Sequence, residues 1–233
     1  MTKVYNLVNS AVRLSIVLVL ASVFIAHAAS EMKSNERYVT VKGLAEREVK
    51  ANKVIWPIAF NDVSNNLNSL YESIESKNKT IVDYLKKNDI KDSEINISSP
   101  SVFDRMAQSY VADNVTVRYQ ISQVITVTST DVDKVMKLMS KQSEMLKLGI
   151  AVGSNYENRV QYLYTSLNDL KPEMIEEATK NARQVADKFA EDAECDLGSI
   201  KYANQGQFSI TEDSNTPHIK QIRVVTTVDY FLK

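Results

Sequence analysis

NVTVRYQISQVITVT, residues 114–128, is the stretch that decides the fold, because apolar and polar side chains alternate along most of it. The apolar side chains stand at odd positions: Val115, Val117, Tyr119, Ile121, Ile125 and Val127. The polar side chains alternate with them: Thr116, Arg118, Gln120, Ser122, Thr126 and Thr128. A period of two indicates a long strand with one buried face and one solvated face. The spacing then changes to a helical period over Asp131–Leu148, with Thr130 as the expected N-cap.

The same change of period recurs along the chain. Six further segments are predicted strands: Tyr38–Val49, Lys53–Val63, Glu94–Phe103, Glu157–Leu167, Ser199–Phe208 and Lys220–Leu232. Helical spacing covers Asn65–Asn88 and a last helix from Pro172 to about Cys195. Pro57 cannot donate to a ladder, which favours an edge position or a bulge for its strand. The order ββα-ββα-βα-ββ predicts an α+β fold in which a mixed or largely antiparallel sheet is layered with helices.

Small side chains dominate one stripe of the last predicted helix. The stripe consists of Ile175, Ala178, Ala182, Val185, Ala186, Phe189 and Ala193. Small residues allow a helix backbone to approach a sheet or another helix closely, so we expect a tight contact on this face.

The first 28 residues have the three parts of a signal peptide. Lys3 and Arg13 supply the positive charge, Leu14–Ile25 is apolar apart from two serines, and Ala26-His27-Ala28 has the small-x-small pattern of a cleavage site. We expect cleavage after Ala28, so that the mature chain begins at Ala29. An uncleaved anchor is the alternative, although the apolar run is shorter than the roughly 18–20 residues that span a bilayer. A polar linker (residues 29–37) then leads into one domain (residues 38–233).

The composition argues against the common kinds of catalytic site. The expected mature chain has one cysteine, Cys195, and one histidine, His218, whereas most hydrolytic, redox and metal chemistry uses those side chains. The five glycines form no phosphate-binding cluster. A formal charge of −1, spread along the chain, gives no basic surface for nucleic acid. The sequence therefore predicts no catalytic residue, no metal, no cofactor and no nucleic-acid partner.

Three stretches resemble one known family. They are Tyr38-Val39-Thr40-Val41-Lys42-Gly43-Leu44-Ala45-Glu46, the strand and capped helix from Tyr119 to Val135, and the run from Glu177-Ala178 through Ala182-Arg183-Gln184-Val185-Ala186 and Phe189-Ala190 to Leu197-Gly198-Ser199-Ile200. Together they resemble the SIMPL-domain family, also called DUF541, over roughly Tyr38 to Lys233. The likeness departs at Cys195-Asp196, where members usually have a glycine, and Asp196 is expected to take up the turn conformation there.

The resemblance implies a bacterial periplasmic or outer-membrane-associated protein without a settled activity. Members of the family are often homo-oligomers, and some are linked to tolerance of oxidative or other envelope stress. A bacterial periplasmic location also agrees with the predicted signal peptide.

Two groups of residues are candidate binding surfaces. Met106, Tyr110 and Val111 are apolar side chains in the connection Asp104–Asp113, which either projects as an arm onto a neighbouring subunit or folds back over the edge of the core. Four aromatic side chains are candidates for a ligand pocket between helices and sheet, or else for the core: Trp56, Tyr162, Tyr164 and Phe189. Cys195 is expected to be structural, with a link between two chains as the alternative, and His218 to lie on the surface.

The sequence therefore favours an exported, non-enzymatic cell-envelope protein that self-assembles and supports envelope integrity under stress. The alternative is a periplasmic binding module for a small apolar or amphipathic ligand.

Overall fold

The computed structural model describes residues 15, 17–25, 37–107, 116–153 and 157–233, and it shows the predicted α+β fold. The strands are β1 Tyr38–Lys50, β2 Lys53–Ser64, β3 Ile95–Ile97, β4 Ser101–Asp104, β5 Tyr119–Ser129, β6 Val152–Gly153, β7 Gln161–Leu163, β8 Leu197–Gln205, β9 Ser209–Glu212 and β10 Ile219–Leu232. The helices after residue 37 are α1 Leu67–Lys87, α2 Val132–Ser140, α3 Ser143–Lys147 and α4 Leu167–Asp192. Single 3₁₀ turns precede β3 and follow β4.

The strands form two sheets. One contains six strands in the order β3-β5-β2-β6, with β4 also paired to β5 and β7 to β2. The other contains four strands in the order β1-β10-β8, with β9 also paired to β10. The chain divides into two compact units, of which one comprises Glu46–Lys171 with Ser209–Ile222, and the other comprises Met1–Ala45, Pro172–Phe208 and Arg223–Lys233.

The first of these units is built on the antiparallel pair β2 and β5, which are in register from Val54 opposite Ser129 to Ser64 opposite Tyr119. One face of the pair is buried by α1, α2 and α3. The core side chains include Val54, Trp56, Ile58, Phe60, Leu70, Ile74, Ile81, Leu85, Ile121, Ile125, Val127, Val135 and Met145. Alternate residues of β5 are buried, as the period of two predicts.

Pro57 lies in a central strand, so the expectation of an edge position or a bulge is wrong. On one side β2 is continuously paired with β5. On its other side, Lys53–Ile55 pair with β7 and Ala59–Phe60 pair with β6. Pro57 falls in the gap between those two short partners, where a missing N–H removes no ladder bond from that side of the strand.

Asp62 ties β2 to α1 within the same unit. Its carboxylate accepts hydrogen bonds from the Lys77 ammonium at 2.6 Å and from the Ser73 hydroxyl. Burial by itself raises the pKa of Asp62, but the hydrogen bonds from Lys77, Ser73 and the Val63 N–H outweigh it. The pKa of Asp62 therefore lies below its usual value.

The second unit packs three alanines of the predicted α4 stripe on a sheet, whereas the other predicted members Val185, Phe189 and Ala193 are exposed. Ala182 and Ala186 are fully buried against Val41, Val228 and Tyr230. The backbones of α4 and β1 approach each other most closely at Gly43, where a Cβ would lie 1.8 Å from the Ala178 carbonyl oxygen. The Asn181 side-chain amide also donates to the Leu44 carbonyl at 2.7 Å. The close contact therefore depends on small residues in both the helix and the strand.

α4 begins five residues earlier than predicted, at Leu167, so that Pro172 lies inside the helix. A proline at this place removes the bond to the Asn168 carbonyl four residues before it. Pro172 and Asn168 are both exposed, so water can solvate that carbonyl. The predicted strand Glu157–Leu167 is correspondingly shortened to Gln161–Leu163.

Three helices end in the same hydrogen-bonded turn, a Schellman motif. After α1, α3 and α4, the residue in the left-handed conformation is Asp89 (φ 63°), Gly149 (φ 79°) and Glu194 (φ 51°), respectively. The following residue donates back to the helix: Ile90 to Leu85, Ile150 to Met145, and Cys195 to Ala190. The turn conformation expected at Asp196 is therefore found at Glu194, and Asp196 exchanges backbone hydrogen bonds with Lys233 instead.

Residues 17–25 are helical, and their large apolar side chains are exposed. Within the described ranges, no helix combines the length and the apolar character needed to cross a bilayer.

Candidate functional site

An apolar surface lies at one edge of the six-stranded sheet, on β4 and the turn that follows it. We call Ser101–Ala107 the arm base. β4 pairs with β5, and no further strand covers its other side in the part of the chain that the structure describes. Three large apolar side chains of the arm base are about half exposed: Val102 at 51%, Phe103 at 49% and Met106 at 54%. Val102 and Phe103 are neighbours on β4, so their side chains project from opposite faces of the sheet at this edge. Apolar side chains exposed along an uncovered sheet edge are typical of a contact surface.

Polar contacts connect the arm base to β5 and to the residue before it. The Arg118 guanidinium donates to both carboxylate oxygens of Asp104, with a shortest distance of 2.8 Å, and lies 4.7 Å from the centre of the Tyr119 ring. Hydrogen bonds from Arg118 lower the pKa of Asp104 below its usual value. The Arg105 guanidinium donates to the Gln120 side chain at 2.7 Å. The exposed side chains are thus presented on a preorganised segment.

Of the three predicted contact residues, Met106 belongs to the arm base. Tyr110 and Val111 lie outside the described residues, as do the predicted cleavage residues Ala26, Ala28 and Ala29.

A second feature is an open cleft of about 540 Å³, which lies entirely within the unit that contains β2 and β5. One wall is the extended run Arg159–Tyr164 around β7. The remaining lining residues are Ile210 and Glu212 of β9 and Lys220 of β10. Burial raises the pKa of the Tyr162 hydroxyl, whose ring also makes an edge contact with His218 at 6.1 Å between centroids. The cleft combines apolar side chains with charged ones in a volume that suits a small molecule.

Lys220 and Glu212 form an ion pair in this cleft. The two partners differ in burial, because the Lys220 side chain is only 6% exposed whereas that of Glu212 is 52% exposed. Lys220 is on the face of β10 whose other members, among them Ile222 and Val224, are buried. A buried ammonium requires an anionic or hydrogen-bonding partner, and Glu212 supplies it.

The four predicted pocket aromatics are found in three different environments. Tyr162 and Tyr164 line the cleft. Trp56 is 2% exposed and belongs to the core beneath β2. Phe189 belongs to the other compact unit, where it is 55% exposed on α4. The structure therefore brings together only the two tyrosines in one surface opening.

Within the described residues, neither Cys195 nor His218 belongs to a group of side chains that could hold a metal ion. The Cys195 thiol is half-buried and contacts the Ala190 carbonyl at 3.5 Å. The His218 backbone carbonyl accepts from the Ala51 N–H at 2.8 Å. Over the described ranges, no group of three or more His, Cys, Asp and Glu side chains could hold a metal ion.

Sequence reasoning missed several residues of these surfaces, although a signal was present for some of them. Val102 and Phe103 are adjacent apolar residues immediately before Asp104. Lys220 occupies an even position of the last strand, in register with its buried apolar residues, which marks a charge that must be paired. Glu212 had no such signal, because its segment has no apolar periodicity.

These features define an α+β protein with an apolar sheet edge and an amphipathic cleft. The sequence profile of SIMPL, described as a protein of unknown function (DUF541), matches residues 39–228. The chain therefore belongs to the SIMPL family, and the resemblance that its motifs indicate is confirmed. Comparison with curated proteins finds no match.

Proposed function

We propose that this protein is an exported, non-enzymatic component of the bacterial cell envelope, that it self-assembles through the arm base, and that the assembly supports envelope integrity under stress. The observation that carries the proposal is the exposure of about half of each of Val102, Phe103 and Met106 along an uncovered sheet edge. Export is supported by the predicted signal peptide, with the periplasm as the expected location.

The charges around the arm base favour assembly over simple exposure to solvent. Asp104 and Arg118 neutralise each other across the base, at 2.8 Å, so a partner would not have to desolvate either of them as a lone charge. Arg105 donates to the neutral Gln120 side chain. The segment is also held in place before association, which reduces the conformational entropy lost on binding. Met and Phe are among the residues enriched at protein interfaces.

Paired charge substitutions test this surface. Phe103→Glu with Met106→Glu places two carboxylates in the arm base. Leu146→Glu with Leu148→Glu is the matched control, because these side chains are 61% and 49% exposed and belong to α3 and its C-cap. Light scattering after size exclusion is expected to show a multimer for the wild type and the control, and a monomer for the arm-base variant. An arm-base variant with the wild-type mass, or a monomeric wild type, contradicts the proposal.

The cleft supports a second candidate function, a periplasmic binding module for a small amphipathic ligand. Tyr162 and Tyr164 supply apolar surface and Lys220 supplies charge in an opening of about 540 Å³. Native mass spectrometry of protein purified from its own envelope tests this function. An added mass that recurs between preparations and disappears on denaturation supports it, and an unmodified mass in every preparation counts against it.

A further inference from the structure

The ion pair in the cleft is asymmetric, and the asymmetry points to a ligand. Lys220 is a charged residue on the buried face of β10, with a side chain that is 6% exposed. Its ammonium has lost most of its contact with water, so it needs an anionic or hydrogen-bonding partner at the cleft. Glu212 lies on β9, where all four residues are exposed, and its side chain is 52% exposed. Its carboxylate can therefore turn into water at little cost.

The surroundings of this pair match an amphipathic molecule. Tyr162, Tyr164 and Ile210 offer apolar surface in the same opening, and Arg159 adds a second cation to its lining. An incoming cation would be repelled by the Lys220 ammonium, whereas an incoming anion would replace the contact that Glu212 makes now. The buried charge thus selects the sign of the ligand's charge.

We infer that the cleft binds a small organic carboxylate with an apolar tail, whose carboxylate takes the place of Glu212 on Lys220. Glu212 then acts as an internal competitor that occupies the cation when no ligand is bound. The tail lies along the tyrosines and Ile210. This inference rests on the second candidate function, a binding module, and adds the chemical class of its ligand.

The competition gives the inference a distinctive test with octanoate as the probe and octanamide as its uncharged analogue. Glu212→Gln removes the competing charge but keeps an oxygen that can accept from Lys220. Glu176→Gln is the matched control, because Glu176 pairs with Lys180 on the exposed surface of α4. Binding is followed by NMR titration of the full chain, with the backbone amides of Glu212, Lys220 and Tyr162 as reporters.

We expect the wild type to bind octanoate more tightly than octanamide. Glu212→Gln is expected to increase octanoate affinity about tenfold, equivalent to removing about 1.4 kcal/mol of competition, and to leave octanamide affinity unchanged. Glu176→Gln is expected to bind both probes as the wild type does. Lys220→Met is expected to abolish the preference for the charged probe, and its thermal unfolding shows whether it has folded.

Other binding results would contradict either the inference about the ligand's charge or the existence of a binding site. Equal binding of octanoate and octanamide by the wild type and by Glu212→Gln overturns the inference while leaving a binding module in place. Failure of both probes to bind either protein overturns the inference, and the native mass spectra then decide the second candidate function separately. If Lys220→Met does not fold, the octanoate and octanamide affinities of the wild type and of Glu212→Gln are sufficient to test the inference.

Discussion

Replacing Gly43 with alanine tests the contact that holds α4 on β1. A Cβ at this position would lie 1.8 Å from the Ala178 carbonyl oxygen and 2.5 Å from the Ala182 nitrogen. Ordinary contact begins near 3.4 Å, so the helix would have to move away by about 1.6 Å. Gly43 does not have a positive φ, so the added methyl group clashes with the helix without straining the local backbone.

The magnitude follows from what the displaced helix loses. Overpacking a core typically costs about 1–3 kcal/mol, and the upper end applies here because the atoms that clash are backbone atoms. Ala178, Ala182 and Ala186 are fully buried and would lose contact together. We therefore expect a loss of about 3 kcal/mol, partly offset by the roughly 0.4–1 kcal/mol that Gly→Ala gains through the unfolded chain.

Calorimetry measures the net loss of about 2–2.6 kcal/mol as a fall in Tm of about 4–10 °C in a chain of this size. Gly153→Ala is the control, because a Cβ there meets only the Ala59 carbonyl oxygen, at 3.9 Å. Its stability is expected to stay within about 0.5 kcal/mol of the wild type. A Gly43→Ala protein that melts within about 2 °C of the wild type would refute the close packing of helix and strand.

Three further substitutions test other parts of the fold. Asp62→Asn is expected to lower the free energy of unfolding at pH 7 by about 1–2 kcal/mol, because the amide loses the charged hydrogen bond to Lys77. Since the folded-state pKa of Asp62 is depressed, this difference is present above the unfolded pKa of about 3.9 and disappears as the pH falls through the folded pKa. Urea unfolding at pH 7 and near pH 2.5 checks both statements, and a difference that persists in acid contradicts them. Glu194→Gly is expected to raise the Tm through a gain of about 1 kcal/mol, because glycine adopts φ 51° without the penalty of a Cβ; a lower Tm would refute that explanation of the turn. Tyr84→Phe is expected to cost about 0.5–1.5 kcal/mol in urea unfolding, because it removes the 3.2 Å hydrogen bond to Glu144, and an unchanged midpoint would show that water replaces it.

Elements with strong periodicity could be predicted from the sequence. β5 and β10 alternate apolar and polar residues over many positions, and a shift of one residue would turn every apolar side chain to the wrong face. The alanine stripe of α4 likewise predicted its close packing. In each of these elements the face that the sequence pattern marks as apolar is the face that packs in the structure. The pattern alone was therefore sufficient to predict the element and its buried face.

Other features depend on contacts that no local pattern contains. The helix predicted over Asp131–Leu148 is divided into α2 and α3, although neither glycine nor proline stands at the break. The division accompanies the burial of Met145 and Ile150, and this packing overrides the continuous helical spacing. The prediction of an edge position for Pro57 was wrong for a similar reason. A proline is tolerated in this central strand because it faces the gap between β6 and β7, which the sequence does not reveal.

The arm base could be predicted from a local stretch of sequence, whereas the cleft could not. The arm base follows directly from an apolar connection between two strands, so the sequence already indicated Met106. The cleft joins Arg159–Tyr164 to residues 210–220, which are about fifty positions away in the chain. Only the fold brings Tyr162 and Lys220 into one opening, and aromatic composition alone grouped Tyr162 with Trp56 and Phe189 instead.

Native mass spectrometry of the wild-type protein purified from its own envelope, with denatured spectra for comparison, tests the central claim most directly. The account predicts a discrete multimer of a chain that begins near Ala29 and carries no added mass. A monomer at every concentration would contradict self-assembly, and a monomer with a reproducible added mass would favour the binding module in its place.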